Sequence, residues 1–395
     1  PYAILEAWEK YDGNPFRIPD TDPASIVPLI EGETARNLIR VFFLQERLKS
    51  LGKAATFKAQ HVHVVGAGVM GGDIAAVCAM RGLRVTLQDQ SAERLEPAMK
   101  RAAELFRRRL RDPARIRDAL DRLVADVAGD GVRRADVIIE AIFENLEAKR
   151  ALFTRVEAVA RPQALLATNT SSLKLADIAV ALKDPARLVG IHFFNPVPQM
   201  QLVEVVSAAG TDPAVAARAA GFVRAIDKLP LPVKDSPGFL VNRVLGPYLQ
   251  QAMRMVDEGV APESIDAAME GFGMPMGPIE LADVVGLDIC LAVGKELTGE
   301  TQPPRKLAQL VKAGQLGKKS GRGFYAWLKG KPQKTSAPPA AADLAERLIA
   351  PYLREAEQAV AEHIVEDADL ADAGLIFGTG FAPFRGGPLR HAARR

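Results

Sequence analysis

The residues best placed to do chemistry in this chain are His192, in Gly190-Ile191-His192-Phe193-Phe194-Asn195-Pro196, and Glu204, in Val203-Glu204-Val205-Val206. Both segments read as short strands, and the turn Pro196-Val197-Pro198-Gln199 is placed to fold them back so that imidazole and carboxylate meet. An imidazole oriented by a buried carboxylate takes up a proton near neutral pH, and such a general base contributes about 10²–10⁴ in rate. Alone, the pair is ambiguous. A histidine at a strand end is more often a hydrogen-bonded or solvent-edge residue, and a glutamate between valines often points outward.

The elements upstream sharpen the reading. His61-Val62-His63-Val64-Val65 has the pattern of a strand, runs into Gly66-x-Gly68-x-x-Gly71, and continues as a helix from residue 74 to 80. In such a loop the first glycine permits a tight turn, the second lets backbone approach a pyrophosphate, and the third lets helix and strand pack closely. The glycine spacing is weak on its own, but here the context is right on both sides. Asp89 ends the next strand, 84–88, where a carboxylate accepts hydrogen bonds from the ribose hydroxyls of an adenosine and repels a 2′-phosphate, which favours NAD over NADP. The plainer role for Asp89 is a helix cap in Asp89-Gln90-Ser91, and Arg84 or Arg94 would weaken the discrimination if turned towards the 2′ position.

Further strands at 136–140, 164–167 and 188–193 alternate with helices at 92–111, 114–124 and 146–160, which predicts a mainly parallel, doubly wound α/β sheet of Rossmann type. After Pro237 only helices are expected (238–258, 262–271, 279–297 and 306–314), so the second domain reads as all-α. A linker with Lys, Pro, Ser and Thr follows, and 342–395 reads as a second, partial helical repeat: Ala382-Pro383-Phe384-Arg385-Gly386-Gly387-Pro388-Leu389 echoes Met274-Pro275-Met276-Gly277-Pro278-Ile279. The expected division is a lead-in and linker helix over 1–58, a nucleotide-binding domain over 59–236, a helical domain over 237–330, a linker over 331–341 and the repeat over 342–395. Residues 1–30 read as extended. Leu38, Ile39, Phe42, Phe43 and Leu48 make the face by which helix 31–51 is expected to pack.

Composition excludes several classes. Lys+Arg 51 against Asp+Glu 48 leaves a formal charge of +3, so no global field calls for a nucleic-acid partner. No apolar run approaches the roughly 18 residues of a membrane helix, and no signal-peptide pattern opens the chain. Cys78 and Cys290 have neither zinc nor disulfide spacing, so no metal site is expected and a reducing compartment, the bacterial-type cytoplasm, fits. The chain begins without methionine, so a lost targeting signal stays open.

Taken in order, the glycine loop, Asp89, Glu144-Asn145, Asn169-Thr170-Ser171-Ser172, His192-Phe193-Phe194-Asn195-Pro196, Glu204 and Pro237-Gly238-Phe239-Leu240-Val241-Asn242-Arg243 resemble the L-3-hydroxyacyl-CoA dehydrogenase family over residues 60–330. Residues 34–53 resemble the linker helix of multifunctional fatty-acid β-oxidation enzymes of alpha-subunit type, and 377–390 their second C-terminal helical repeat. The residues before Thr34 are too few for a hydratase domain, so the expectation is the dehydrogenase part alone, isolated by truncation and without hydratase activity.

The resemblance implies NAD-dependent oxidation of (S)-3-hydroxyacyl-CoA to 3-oxoacyl-CoA. His192 would take the proton of the 3-hydroxyl, Glu204 would fix its tautomer, and Ser171 and Asn242 would hold the substrate oxygen. Gly66, Gly68, Met70, Gly71, Asp89, Glu144, Lys149 and Asn195 match cofactor-contacting positions; for Glu144 and Lys149 the plainer reading is a solvated helix start. Lys100, Arg101, Arg107, Arg108, Arg109 and Arg111 offer charge for CoA phosphates, but such a run is usually a solvated face and is not counted in the site. Hydratase or thiolase partners are implied by the multifunctional relatives. Two alternatives stay open: a dehydrogenase for another β-hydroxy acid, where a lysine base is common, and a non-catalytic nucleotide-binding scaffold of a β-oxidation complex.

Overall fold

The computed structural model describes residues 2–53, 57–298, 302–339 and 341–394. The N-terminal stretch is helical where an extended lead-in was expected: α1 spans Tyr2–Tyr11, α2 Ile26–Glu31 and α3 Glu33–Leu51. The Asp- and Pro-rich residues form the turn between α1 and α2. There Asp22 accepts from the Tyr11 hydroxyl at 2.6 Å and the Ala24 N–H at 2.8 Å, and Ser25 caps α2.

Helix α3 also departs from expectation. It buries Asn37, Leu44 and Leu48, while Leu38, Ile39, Phe42 and Phe43 stay exposed. The packed stripe is chosen by polar anchors as much as by apolar periodicity. Asn37 donates to the Phe384 carbonyl at 2.9 Å, and Arg47 donates to Asp367 at 2.9 Å. These bonds turn the Leu44 and Leu48 stripe inward.

The nucleotide-binding domain is built from β1 (His61–Val65), α4 (Val69–Met80), β2 (Arg84–Gln88), α5 (Ala92–Leu110), α6 (Pro113–Arg122), β3 (Leu123–Ala125), β4 (Val137–Glu140), α7 (Leu146–Val159), β5 (Leu165–Thr168), α8 (Leu175–Ala179), β6 (Leu188–Phe193), β7 (Leu202–Ser207), α9 (Pro213–Ala225) and β8 (Leu229–Lys234). These eight strands form one sheet in the order β3-β2-β1-β4-β5-β6-β7-β8, parallel except where β7 turns back along β6. Its central strands are buried on both faces, which is why they are mostly apolar, with Glu140, Thr168 and His192 as buried polar exceptions. Strand β8 escapes a sequence reading because Pro230 and Pro232 interrupt it. It lies at the sheet edge and pairs only with β7, where residues without an N–H on the free side are tolerated.

The helical domain runs through α10 (Val241–Asp257), α11 (Pro262–Phe272), α12 (Pro278–Val285), α13 (Leu287–Thr298) and α14 (Arg305–Lys312). The single helix expected over 279–297 is two, because Gly286, at φ 107°, breaks it. Nor do strands end at Pro237. A hairpin of β9 (Ala326–Leu328) and β10 (Lys331–Gln333) turns through Lys329 and Gly330, both at positive φ, so the expected linker opens as a strand.

Beyond it lie α15 (Leu344–Ala361), α16 (Ala368–Thr379), a 3-10 turn at Pro383–Arg385 and α17 (Pro388–Ala392). The two Gly-Pro echoes have a common physical cause. Asp266 of α11 accepts from Ile279 N at 2.8 Å at the start of α12, and Asp372 of α16 accepts from Leu389 N at 2.7 Å at the start of α17. A Cβ at Gly277 would lie 2.3 Å from Asp266, and one at Gly387 2.2 Å from Asp372, so each buried carboxylate requires a glycine beside it.

One continuous core joins the sheet edge to the helices. It includes Leu202 and Val206 of β7, Leu231 of β8, Phe239 and Leu240 before α10, and Leu44 and Leu48 of α3.

Candidate active site

In the antiparallel pairing of β6 and β7, His192 stands directly opposite Glu204. Side chains opposite one another share a face, and the His192 Nδ1 to Glu204 Oε2 distance is 2.8 Å. Both are buried, at 4% and 0% exposure. A buried carboxylate must be fully hydrogen-bonded. The second oxygen meets that demand by accepting from Leu240 N and Val241 N, each at 3.0 Å. The pairing therefore assigns the Nδ1 proton and leaves Nε2 as the ring nitrogen for a substrate. Phe194 and Phe239 pack edge-on against the imidazole, with ring centroids at 4.6 and 5.4 Å.

Because Glu204 holds the start of α10, the nucleotide-binding domain and the helical domain meet at this carboxylate. Asn242 follows Val241 directly in the first turn of α10 and is half-buried. Asn195 lies exposed three residues after His192, at the turn joining β6 to β7.

A second network forms at the ends of β4 and β5. Glu144 Oε1 accepts from Ser171 N at 2.9 Å, from Ser172 N at 3.2 Å and from the Thr170 hydroxyl, so it shapes the loop that carries Ser171. Burial pushes the Glu144 pKa up, but the Lys149 charge and these hydrogen bonds outweigh it and hold the carboxyl below its ordinary value. The solvated start expected as the plainer role of Lys149 is not what the structure contains. Lys149 is 1% exposed, with its ammonium 2.6 Å from Glu140 and 3.1 Å from Glu144. Glu140 in turn accepts from the Thr168 hydroxyl at 2.6 Å and from Ile142 N at 2.8 Å. Lys149 thus braces Glu144, whose side chain keeps 34% exposure.

Sequence reasoning passed over several members of this shell. Asn169 Oδ1 accepts from Phe193 N at 2.8 Å and ties the serine loop to the histidine strand. Glu140 and Thr168 look like ordinary strand residues. Their only signal in the sequence is a polar side chain inside an otherwise apolar strand.

The glycine loop closes tightly at two of its three glycines. A Cβ at Gly66 would lie 2.4 Å from the Ala141 carbonyl, and one at Gly71 would lie 1.9 Å from that of Gly66. At Gly68 the same construction meets nothing within 4 Å. Gly68 caps α4 without a side chain, so N–H groups of the first turn are left for a ligand, and Met70 is half-buried within that turn. Arg101 of α5 donates to the Gly68 carbonyl at 3.1 Å, a support the sequence showed only as part of a charge run. Asp89 accepts from Ala67 N at 2.7 Å and from Gln90 N at 2.7 Å; the N-cap position of α5 falls to Ser91, whose side chain makes no capping bond. The carboxylate therefore ties the end of β2 to the glycine loop. Open space at Gly68, free N–H groups and a carboxylate at the end of β2 fit a dinucleotide.

Comparison with known proteins decides the family. Residues 61–236 match the 3-hydroxyacyl-CoA dehydrogenase NAD binding domain, and residues 238–327 match the 3-hydroxyacyl-CoA dehydrogenase C-terminal domain. The chain belongs to the 3-hydroxyacyl-CoA dehydrogenase family. It is similar in structure to 3-hydroxybutyryl-CoA dehydrogenase from Escherichia coli, with TM-score 0.75 and 31% identity over 86% of this chain and 92% of that one. Similarity to (S)-3-hydroxybutyryl-CoA dehydrogenase from Ralstonia eutropha has TM-score 0.65 and 35% identity, covering 69% of this chain and all of the other. In sequence it is 35% identical to the fatty acid oxidation complex subunit alpha of Pseudomonas aeruginosa over 94% of this chain. It spans 56% of that relative's length.

As a member of this family the chain is an NAD-dependent dehydrogenase: a Rossmann-like domain for NAD followed by a helical domain. Among the described residues no helix is long and apolar enough to cross a membrane, and no cluster of three or more His, Cys, Asp or Glu is arranged to hold a metal.

Proposed function

We propose that this 3-hydroxyacyl-CoA dehydrogenase oxidises (S)-3-hydroxyacyl-CoA to 3-oxoacyl-CoA in fatty-acid β-oxidation. The observation that carries the reading is the His192 Nδ1 to Glu204 contact of 2.8 Å, made by a carboxylate whose other oxygen is bound to the start of α10. NAD, when bound, accepts the hydride that leaves C3. His192 Nε2 removes the proton of the 3-hydroxyl, and Glu204 stabilises the imidazolium that results. Ser171 and Asn242 hold the reacting oxygen from the two domains, with Ser171 set in place by Glu144. Asp89 receives the adenosine ribose, Gly66, Gly68, Met70 and Gly71 receive the pyrophosphate, and Glu144 and Asn195 border the nicotinamide end.

The division at 59–236 and 237–330 gives each domain its half of that site, and the matched families, at 61–236 and 238–327, support it. Partners of hydratase or thiolase type are part of the same reading. The exposed apolar face of α3, Leu38, Ile39, Phe42 and Phe43, supports a docked neighbour. A reducing bacterial cytoplasm suits the two buried free thiols, Cys78 and Cys290.

The test is NADH oxidation with acetoacetyl-CoA against free acetoacetate, in wild type and in His192→Gln. The proposal requires a strong preference for the thioester and, in the variant, intact NADH binding with most turnover lost. Equal use of the free acid, or full activity of the variant, refutes it.

A further inference from the structure

Away from the dyad and the glycine loop, the last turns of α3, α5 and α9 and the end of α4 converge with the 198–201 turn around a groove of about 860 Å³. That volume suits a small molecule rather than a macromolecule. Its walls carry six cations, Lys49, Lys53, Arg81, Arg109, Arg224 and Lys228, against two carboxylates, Glu46 and Asp227.

A cation in the last turn of a helix has a local explanation, because it meets the partial negative charge of the helix end. That explanation does not cover this groove. Even counting about half a negative charge for each helix end, the walls remain net positive. The two carboxylates are already engaged, Glu46 with Lys49 at 2.8 Å and Asp227 with Arg81 at 2.6 Å. Among the described residues no carboxylate lies within ion-pair distance of Lys53, Arg109 or Arg224.

Lys228 makes the stronger argument. It is 8% exposed, and its ammonium donates to the Val197 carbonyl at 2.6 Å and the Met200 carbonyl at 2.5 Å. These acceptors are neutral, so a buried charge stands without a counter-ion. Burial first, with Arg81 and Arg109 adding repulsion, pushes its pKa down to about 8 against the opposing pull of Asp227. A bound anion would relieve that cost, and the planar guanidinium groups of Arg109 and Arg224 suit phosphate oxygens.

We propose that this groove is a second ligand site, distinct from the dinucleotide site, for a small molecule carrying clustered phosphates. The chemistry is shared by a free nucleotide or pyrophosphate and by the phosphate end of a coenzyme A ester. The proposal goes beyond the dehydrogenase reading, and its test does not depend on turnover. The turn whose carbonyls hold Lys228 also joins the strands of His192 and Glu204, so an occupant would rest against the hairpin that carries the dyad.

The test is calorimetry on the full chain with the dinucleotide site saturated by NADH, using pyrophosphate, ATP, CoA and dephospho-CoA as titrants. At least one is expected to bind with Kd below about 1 mM. The double variant Arg109→Gln/Arg224→Gln, changed at two exposed positions, is expected to weaken that binding at least tenfold with NADH affinity unchanged. Within that result, CoA at least tenfold tighter than both dephospho-CoA and ATP identifies the coenzyme A ester as the source. ATP or pyrophosphate binding as tightly as CoA identifies a free phosphate ligand. Absence of saturable binding by all four overturns the proposal, as does any binding that the double variant leaves intact.

Discussion

Replacing Glu204 by Gln keeps the side chain's shape and removes its charge. One oxygen of the native carboxylate holds His192 Nδ1 at 2.8 Å, and the other accepts from Leu240 N and Val241 N at 3.0 Å. A glutamine amide has one oxygen and one NH₂, so it cannot accept on both sides. If its oxygen stays on the helix N–H groups, the NH₂ faces Nδ1 and the imidazole must carry its proton on Nε2, the nitrogen that has to be free to act as base. If the amide flips, the histidine keeps its bond but two buried N–H groups lose their acceptor, at about 1–3 kcal/mol each.

Stranding two donors costs more than reversing one tautomer, so the first arrangement prevails. The expected loss of kcat is on the order of 10³–10⁴, the scale of a wrong-tautomer lesion in a catalytic triad. The stability loss should be smaller, about 1–2 kcal/mol, from exchanging charge-assisted for neutral hydrogen bonds. NADH formation from 3-hydroxybutyryl-CoA gives the first number and urea unfolding the second. A variant with kcat within about threefold of wild type, binding NADH normally, would show that the carboxylate does not orient the base.

Three further outcomes are expected. Gly68→Ala adds a Cβ into open space, so it should leave unfolding unchanged while weakening NADH, whereas Gly71→Ala meets the Gly66 carbonyl at 1.9 Å and should cost about 2–3 kcal/mol in urea unfolding. Lys149→Met strands the buried Glu140 carboxylate and should destabilise by about 3–5 kcal/mol, with Glu140→Gln in the same chain restoring much of it; an additive double variant would contradict the pairing. For Lys228 the folded pKa, near 8, lies below the unfolded value of about 10.4, so the folded state binds fewer protons in that window. Stability measured by urea unfolding should therefore rise from pH 8 to pH 10.4, by about 3 kcal/mol from this group, and Lys228→Met should remove that rise.

What could be read from the chain is what short-range geometry dictates. Strand β6, an eight-residue connection and strand β7 lie within one hairpin, so the facing of His192 and Glu204 follows from a local register. The glycine loop is equally local: its spacing encodes a strand, a turn and a helix within a dozen residues. Asp89 was legible as a site residue for the same reason, although its bond to Ala67 N was not.

What escaped the sequence depends on which distant surfaces meet. The stripe α3 turns inward was settled by Phe384 and Asp367, more than three hundred residues away, against the apolar periodicity of the helix itself. The burial of Lys149 was not legible, because nothing nearby announces that Glu140, on another element, lies behind it. The second role of Glu204, holding the start of α10, joins residues 36 and 37 positions apart across two domains. The cations of the basic groove come from the C-terminal ends of four separate helices, α3, α4, α5 and α9, and the residues just after them. Local hydrogen bonding and side-chain alternation determine a hairpin or a loop wherever it lies in the fold, but burial and charge neighbourhood exist only once the core has closed. Tertiary packing therefore decided which of the legible polar groups became partners, supports or unpaired charges.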